Sequence, residues 1–465
     1  MAQRTKKALI GLCPIGKFTF SHEMAVSYKT QIQQKMIDLD IDFCDLDGVL
    51  PDGIVRSQDD VPVVVSYFRE KKADALFLPH CNFGTEGAAG MIAKELALPV
   101  LLYGPRDEAP LPSGERLTDT LCGLLATSKL LCKLKIPFRY IENCRIDDSV
   151  FSKELSLFAR EANVVKAMRH IRIGQIGGRI DFFWCTIIDE TDLLNKFNIQ
   201  IQPIDLPYFI RDVKMRASKH EAEYRKELES YKQTLINTDD LPDIGFINGL
   251  AARDEMKMLA EKLDLDGFAV QGFPSLCEAL GDGGELGISL IQEEIPLGAE
   301  TDILGVVSSI LLRAASANDS PAFLPEWTMR HPNNDNAVLL WHGNCPPSLK
   351  KQGSPKMEIL PSWILPTKQR TNITYPIRDG NITFCRFEGE DGKYRLGIGK
   401  GHTVEGPKTL EVYTWLEVSD WKKYERKLIE GPYLHHCSCI FDDCSEVLEK
   451  ACQFIPYLEA DSFEK

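Results

Sequence analysis

The sequence predicts an α/β protein: two Rossmann-like α/β domains followed by a C-terminal antiparallel β-barrel domain. Three observations carry this expectation. Short apolar runs alternate with helical patterns in the first part of the chain. The alternation then restarts once. After about residue 350 the texture changes to short β-rich runs divided by Gly, Asp and Asn turns.

The first alternation opens with KKALIGLCPIG, an apolar strand running into a Gly/Pro turn. A helical pattern follows over His22–Ile37, then the strand-like IDFCDLDGVL. The strand ADALFLP, the helix within GTEGAAGMIAKELA and the strand PVLLYG complete a βαβ pattern, which implies a parallel sheet. The restart runs through IRIGQI, the helical DETDLLNKF, IQIQPIDL, the apolar IGFING, a helix over Asp254–Leu263, and DGFAVQ. ADALFLP and DGFAVQ sit at comparable points of their halves, so the two halves share a design. The charged stretch Arg211–Lys232 reads as a solvated helix. In the last part NITYPI, NITFCRFEG, KYRLGIGKGHTV and LEVYTWLEV are strands, and RDGN and EDGK are hairpin turns. A terminal helix, CSEVLEKACQFI, follows. The expected domains are residues 1–168, 169–350 and 351–465.

Length and composition agree with a multidomain globular protein. The chain has 465 residues, with 44% hydrophobic and 26% charged residues. A net charge of −14 argues against a nucleic-acid partner. No apolar run suits a bilayer span, and the N-terminus lacks a signal-peptide pattern. The 14 cysteines are scattered, which fits reduced thiols and a cytoplasmic location.

Candidate chemistry concentrates in three blocks and one late motif. PLGAETDILG presents Glu300 at the entrance of an apolar helix, with Asp302 as a competing cap. FLPEWTMRH presents Glu326 after a proline. LLWHGNCPPSL presents His342 at the exit of a buried strand. GPYLHHCSC adds His435 and His436, which point to opposite sides of an extended chain, so one at most faces a given metal. Two carboxylates with one or two imidazoles suit a hard divalent cation such as manganese, magnesium or cobalt. Cys437, Cys439 and Cys444 with a histidine form a rival zinc set, but their spacing matches no structural-zinc pattern. LIGLCPIG and IGQIGGR are not nucleotide loops, and no G-x-S-x-G elbow supports serine hydrolysis.

These blocks resemble the fucose/arabinose isomerase family. LGAETD and LPEW resemble its two carboxylate segments, matching Glu300 and Glu326. WHGNCPPSL resembles the arabinose-isomerase segment with a metal-binding histidine, matching His342. The HH pair resembles the late motif, with His436 the favoured match. IRIGQIGGR resembles the opening of the second domain and RLTDTLCGLL the close of the first. The chain departs from a typical fucose isomerase in being shorter. Its His342 block is arabinose-like, while AETD is closer to the fucose form.

The resemblance implies the three-domain architecture and a homo-trimer or homo-hexamer with an inter-subunit site. It also implies aldose–ketose isomerisation of a monosaccharide through a cis-enediol. The sugar would be of fucose or arabinose type, or a modified hexose such as sulfoquinovose. Glu300 and Glu326 would share proton transfer while touching metal. Arg179, Trp184, Trp327 and His435 are candidate substrate contacts, with Trp341 beside them. An anionic substituent would need Arg106, Lys17 or Arg179. The competing expectation is a non-catalytic sugar-binding or regulatory protein, which would have no need of the carboxylate pair.

Overall fold

The computed structural model describes residues 7–362, 368–431 and 433–465. The chain divides into two compact units. One runs to Lys166 and takes in Gln453–Ile455; the other holds Ala167–Cys452 and Pro456–Lys465.

The first unit is built on β1 (Ile10–Leu12), β2 (Phe43–Cys44), β3 (Ala75–Pro79), β4 (Val100–Tyr103) and β5 (Phe138–Tyr140), in the order β2-β1-β3-β4-β5 with every pair parallel. β3 and β4 are buried at every position, as expected for strands covered by helices on both faces. The helix His22–Asp38 is capped by Ser21, whose side chain accepts from the Met24 N–H.

The second unit contains a parallel sheet of β6 (Ile171–Ile176), β7 (Ile199–Ile204), β8 (Gly267–Val270) and β9 (Leu297–Ala299), in the order β7-β6-β8-β9. This repeats the strand order of the first sheet with one strand fewer, so the shared design read from the sequence appears in the topology. IGFING is not a strand. It lies inside the helix Asp243–Leu263. Its glycines explain the difference, because they form a helix-contact face. A Cβ on Gly249 would lie 2.3 Å from the Gly284 carbonyl oxygen, and one on Gly287 would lie 1.7 Å from the Gly249 carbonyl oxygen. The short helix Glu285–Ile291 is thereby packed directly onto the long one.

The remaining strands are β10 (Glu326–His331), β11 (Asn334–His342), β12 (Glu358–Pro361), β13 (Arg370–Pro376), β14 (Asn381–Glu390), β15 (Lys393–Val404), β16 (Val412–Glu417), β17 (Ser438–Ile440) and β18 (Leu458–Ser462). Their main path is β10-β11-β16-β15-β14-β17, with every pair antiparallel. Two expectations change here. β10 and β11 belong to this sheet and not to the second parallel sheet, because β11 pairs with β16 over six residues, from Ala337 with Glu417 to His342 with Val412. Residues ahead of the expected boundary at 350 thus already share this sheet.

The second change concerns the barrel, which is not closed. The two ends of the path meet only through isolated bridges, Phe323 with Cys439 and Glu326 with His436. Pro325 sits in that seam and has no N–H to donate, which interrupts a continuous ladder. Its carbonyl still accepts from the Cys437 N–H at 3.0 Å, and the Trp327 N–H donates to the His435 carbonyl at 2.9 Å. The incomplete seam places Glu326 directly beside His436.

Candidate metal centre and cleft

Four side chains from three parts of the second unit converge. One donor atom from each of Glu300, Glu326, His342 and His436 lies within 4.8 Å of all the others. Among the described residues no other group of three or more such side chains does this.

Glu300 is delivered by the turn between β9 and the helix Ile303–Ala315. Both Glu300 and Thr301 hold left-handed backbone, with φ of 60° and 55°. For non-glycine residues this costs on the order of 1–3 kcal/mol each and persists only where the surroundings impose it. Here they do. The Thr301 N–H donates to the Val270 carbonyl at 3.0 Å and the Asp302 N–H to the Ala299 carbonyl at 3.2 Å. Gly298 makes the tight approach possible, since a Cβ there would lie 2.6 Å from the Asp302 carbonyl oxygen.

Asp302 is the helix cap, accepting from the Gly305 N–H at 3.0 Å. Its other oxygen faces His436 Nδ1 at 3.1 Å and pairs with the buried Arg386. That contact turns His436 Nε2 towards the two glutamates, 3.2 Å from Glu300 Oε2 and 3.6 Å from Glu326 Oε1. Such a carboxylate–imidazole pair fixes ring orientation for a metal ligand. Glu326 stands at the start of β10, opposite Trp341 on β11. His342 ends β11, its ring 5.9 Å from that of His436.

The electrostatics follow from this crowding. Burial raises Asp302, but Arg386 and His436 outweigh it and hold the carboxyl far below the usual range. Burial opposes charge on His436, yet Asp302, Glu300 and Glu326 outweigh it and hold the imidazolium well above its ordinary value. Glu326 is lowered: burial raises it, and His436 and His342 prevail. Burial lowers His342.

These residues fit a divalent cation. Both ring nitrogens of His342 are buried without a hydrogen-bond partner, and Glu300 Oε2 and His436 Nε2 are buried and met only by ion pairing within the cluster. An unsatisfied buried polar atom costs about 1–3 kcal/mol, so crowded donors of this kind favour a ligand that engages one atom from each residue. Hard oxygens with imidazole suit manganese or a similar ion. The Cys345 thiol stands outside the group, as do Cys437, Cys439 and Cys444.

The cluster opens on a cleft. Glu300, Glu326 and His342 line it together with Phe273, Cys277, Glu285, Trp341, Asn344, Thr371, Asn372 and Glu411. The expected substrate contacts are placed unevenly. Trp327 packs on Phe384 and Trp421, at 4.9 and 5.8 Å between ring centroids, and is a core side chain. It lies off the cleft lining because neighbours on a strand face opposite ways, and Glu326 takes the cleft side. Trp341 occupies the lining instead. Trp184 is 72% exposed and Arg179 is exposed, with its guanidinium 5.9 Å from the Trp184 ring; neither lines the cleft. His435 stacks near Phe183, 5.9 Å between centroids, and is outside the four-residue cluster. Sequence reasoning missed Arg386, Glu285 and Asn344. Only Asp302 left a signal, as an acidic residue heading an apolar helix.

Residues 11–169 match the fucose/sulfoquinovose isomerase N-terminal domain family. Sulfoquinovose isomerases of Priestia aryabhattai and Priestia megaterium are each 23% identical over 444 residues, covering 94% of this chain and 95% of theirs. That of Alkalicoccus urumqiensis is 24% identical over 401 residues, covering 85% of both chains. A D-allose-bound periplasmic solute-binding protein of Actinobacillus succinogenes aligns over 68% of this chain and 85% of its own, at 11% identity, but its TM-score of 0.18 gives that likeness no weight. The first third of the chain thus carries a domain of the fucose/sulfoquinovose isomerase type, and nearly the whole chain is similar to sulfoquinovose isomerases. These similarities support an aldose–ketose sugar isomerase.

Proposed function

We propose that the isomerisation is metal-dependent, with Glu300, Glu326, His342 and His436 holding one divalent cation, manganese first among the candidates. The observation that carries this reading is the convergence of four side chains, each offering one donor atom within 4.8 Å of the others. A cation there would supply Lewis-acid stabilisation of negative charge on adjacent sugar oxygens.

The chain's own groups do the rest. Glu300 and Glu326 face one space and are the groups able to take the proton beside the carbonyl and return it to the neighbouring carbon. Passage through a cis-enediol has the proton leave C2 and return to C1 on one face of the sugar, a route that suits two carboxylates facing one space. Asp302 keeps His436 turned inwards, and Phe273 and Trp341 add apolar surface to the cleft wall. The relatives' names make sulfoquinovose the first substrate to try. Among the described residues no Lys or Arg lines the cleft, so a sulfonate would be met by a group outside this lining. We further infer a homo-oligomer, trimer or hexamer, and a cytoplasmic location. Among the described residues no helix is long and apolar enough to cross a membrane.

The test is proton NMR in deuterated water with manganese and a panel of sulfoquinovose, L-fucose, L-arabinose and D-glucose. Exchange of the C2 hydrogen with ketose formation supports the reading. Exchange that survives complete removal of divalent metal rejects it.

A further inference from the structure

Glu285 is a buried carboxyl group in the same cleft but outside the metal cluster. It begins the helix Glu285–Ile291, which the glycine contact with the helix Asp243–Leu263 holds in place. Its two oxygens are individually clamped. The Cys277 thiol donates to Oε1, and Asn344 Nδ2 donates to Oε2 at 3.1 Å. The orientation of Asn344 is set in turn, because Gln292 Nε2 donates to its Oδ1 at 3.0 Å. Gln292 is itself tied to the Ile288 carbonyl at 3.2 Å, one helical turn back. A chain of hydrogen bonds thus runs from one helix to the loop that follows His342 and ends on this carboxyl.

Such a group needs a reason. A buried carboxyl is disfavoured unless a cation or hydrogen bonds compensate it. Among the described residues no Lys or Arg pairs with Glu285, and burial pushes its carboxyl up. A carboxylate has about four acceptor positions, and the clamp uses two. The unused capacity adjoins the cleft that Glu285 lines. A rigid, oriented, half-satisfied carboxyl on a cleft wall is the arrangement that discriminates a hydroxyl from its absence.

We propose that Glu285, held by Cys277 and Asn344, is a specificity-determining residue that receives a hydroxyl of the bound monosaccharide away from the two reacting carbons. The inference rests on the isomerase reading for its substrate class. It commits the ligand portion at Glu285 to an uncharged hydroxyl and not to an anionic substituent.

The experiment compares wild type with Glu285→Gln and Cys277→Ser, each checked for metal content and thermal unfolding. Substrates are the fastest-turned-over sugar of the panel and its monodeoxy analogues. Calorimetric titration with the matching alditol follows binding without turnover. E285Q is expected to raise KM by about tenfold or more while kcat stays within about threefold, because ground-state and transition-state binding are lost together. One monodeoxy analogue should be weak with wild type yet suffer no further loss with E285Q. Cys277→Ser should show the same analogue pattern at about two- to fivefold, and it decides the matter if E285Q does not fold. An equal loss for every analogue, an unchanged KM, or a fall in kcat with loss of metal overturns the proposal. If no sugar is turned over, the isomerase reading fails on its own. Titration with the alditols of all the panel sugars then still decides: about tenfold weaker binding of the tightest one to E285Q supports the hydroxyl role, and equal affinity, or no binding to wild type, ends it.

Discussion

Asp302→Asn isolates the support beneath the metal cluster from the cluster itself. Asp302 contacts His436 Nδ1, pairs with Arg386 and caps the helix Ile303–Ala315. Asparagine caps a helix as well as aspartate does, so the cap survives. The charge does not. Arg386 is only 3% exposed and keeps a single carboxylate, Glu388 at 3.1 Å. Removing one member of a buried ion pair typically costs 3–5 kcal/mol, and the remaining Glu388 argues for about 3 kcal/mol in unfolding free energy. His436 also loses the acceptor that fixes its ring. Loss of such a supporting partner weakens metal binding by about 10–100-fold, equivalent to about 1.4–2.8 kcal/mol. Manganese titration of the metal-free protein, with urea unfolding alongside, reads both quantities. A folded D302N protein with an unchanged manganese Kd would refute the role assigned to Asp302.

Further outcomes follow from the same geometry. Glu300→Gln and Glu326→Gln are each expected to abolish C2-hydrogen exchange while leaving circular dichroism unchanged; wild-type exchange in either variant contradicts the proton-transfer assignment. His436→Ala should lose manganese on dialysis, whereas His435→Ala should retain it, as metal analysis would show; the reverse pattern would exchange their roles. Metal affinity should rise with pH. His436 is held protonated in the metal-free protein, and that proton contributes stability which is present below the ordinary histidine pKa and lost as pH rises through the raised value. A metal ion must displace the same proton. Calorimetry between about pH 6 and about pH 8, in buffers of different ionisation enthalpy, should therefore report release of about one proton per metal bound, and no release would count against it.

The periodic parts of this chain were readable because burial writes them into the sequence. IRIGQI and ADALFLP are apolar runs that became central parallel strands, and EDGK became a hairpin turn with Asp391 and Gly392 both at positive φ. IGFING misled because the glycines that mark it serve helix packing, which local periodicity does not reveal. Glu326 and His342 were legible as site-like residues, but their sheet was not. β11 chooses β16 as a partner roughly 75 residues later in the chain, and such long-range pairing leaves no local trace. Trp327 and Trp341 show the same limit. Both flank candidate ligands in sequence, and only strand pairing decides which of the two faces the cleft. The supporting residues Arg386 and Glu285 lie in stretches with ordinary chemistry and become meaningful only through what the fold brings to them.

Anomalous diffraction from manganese-soaked crystals tests the central claim most directly. A single strong peak within coordination distance of Glu300, Glu326, His342 and His436 is the expected result. Manganese found elsewhere, or no peak in that cluster under saturating metal, would contradict the account.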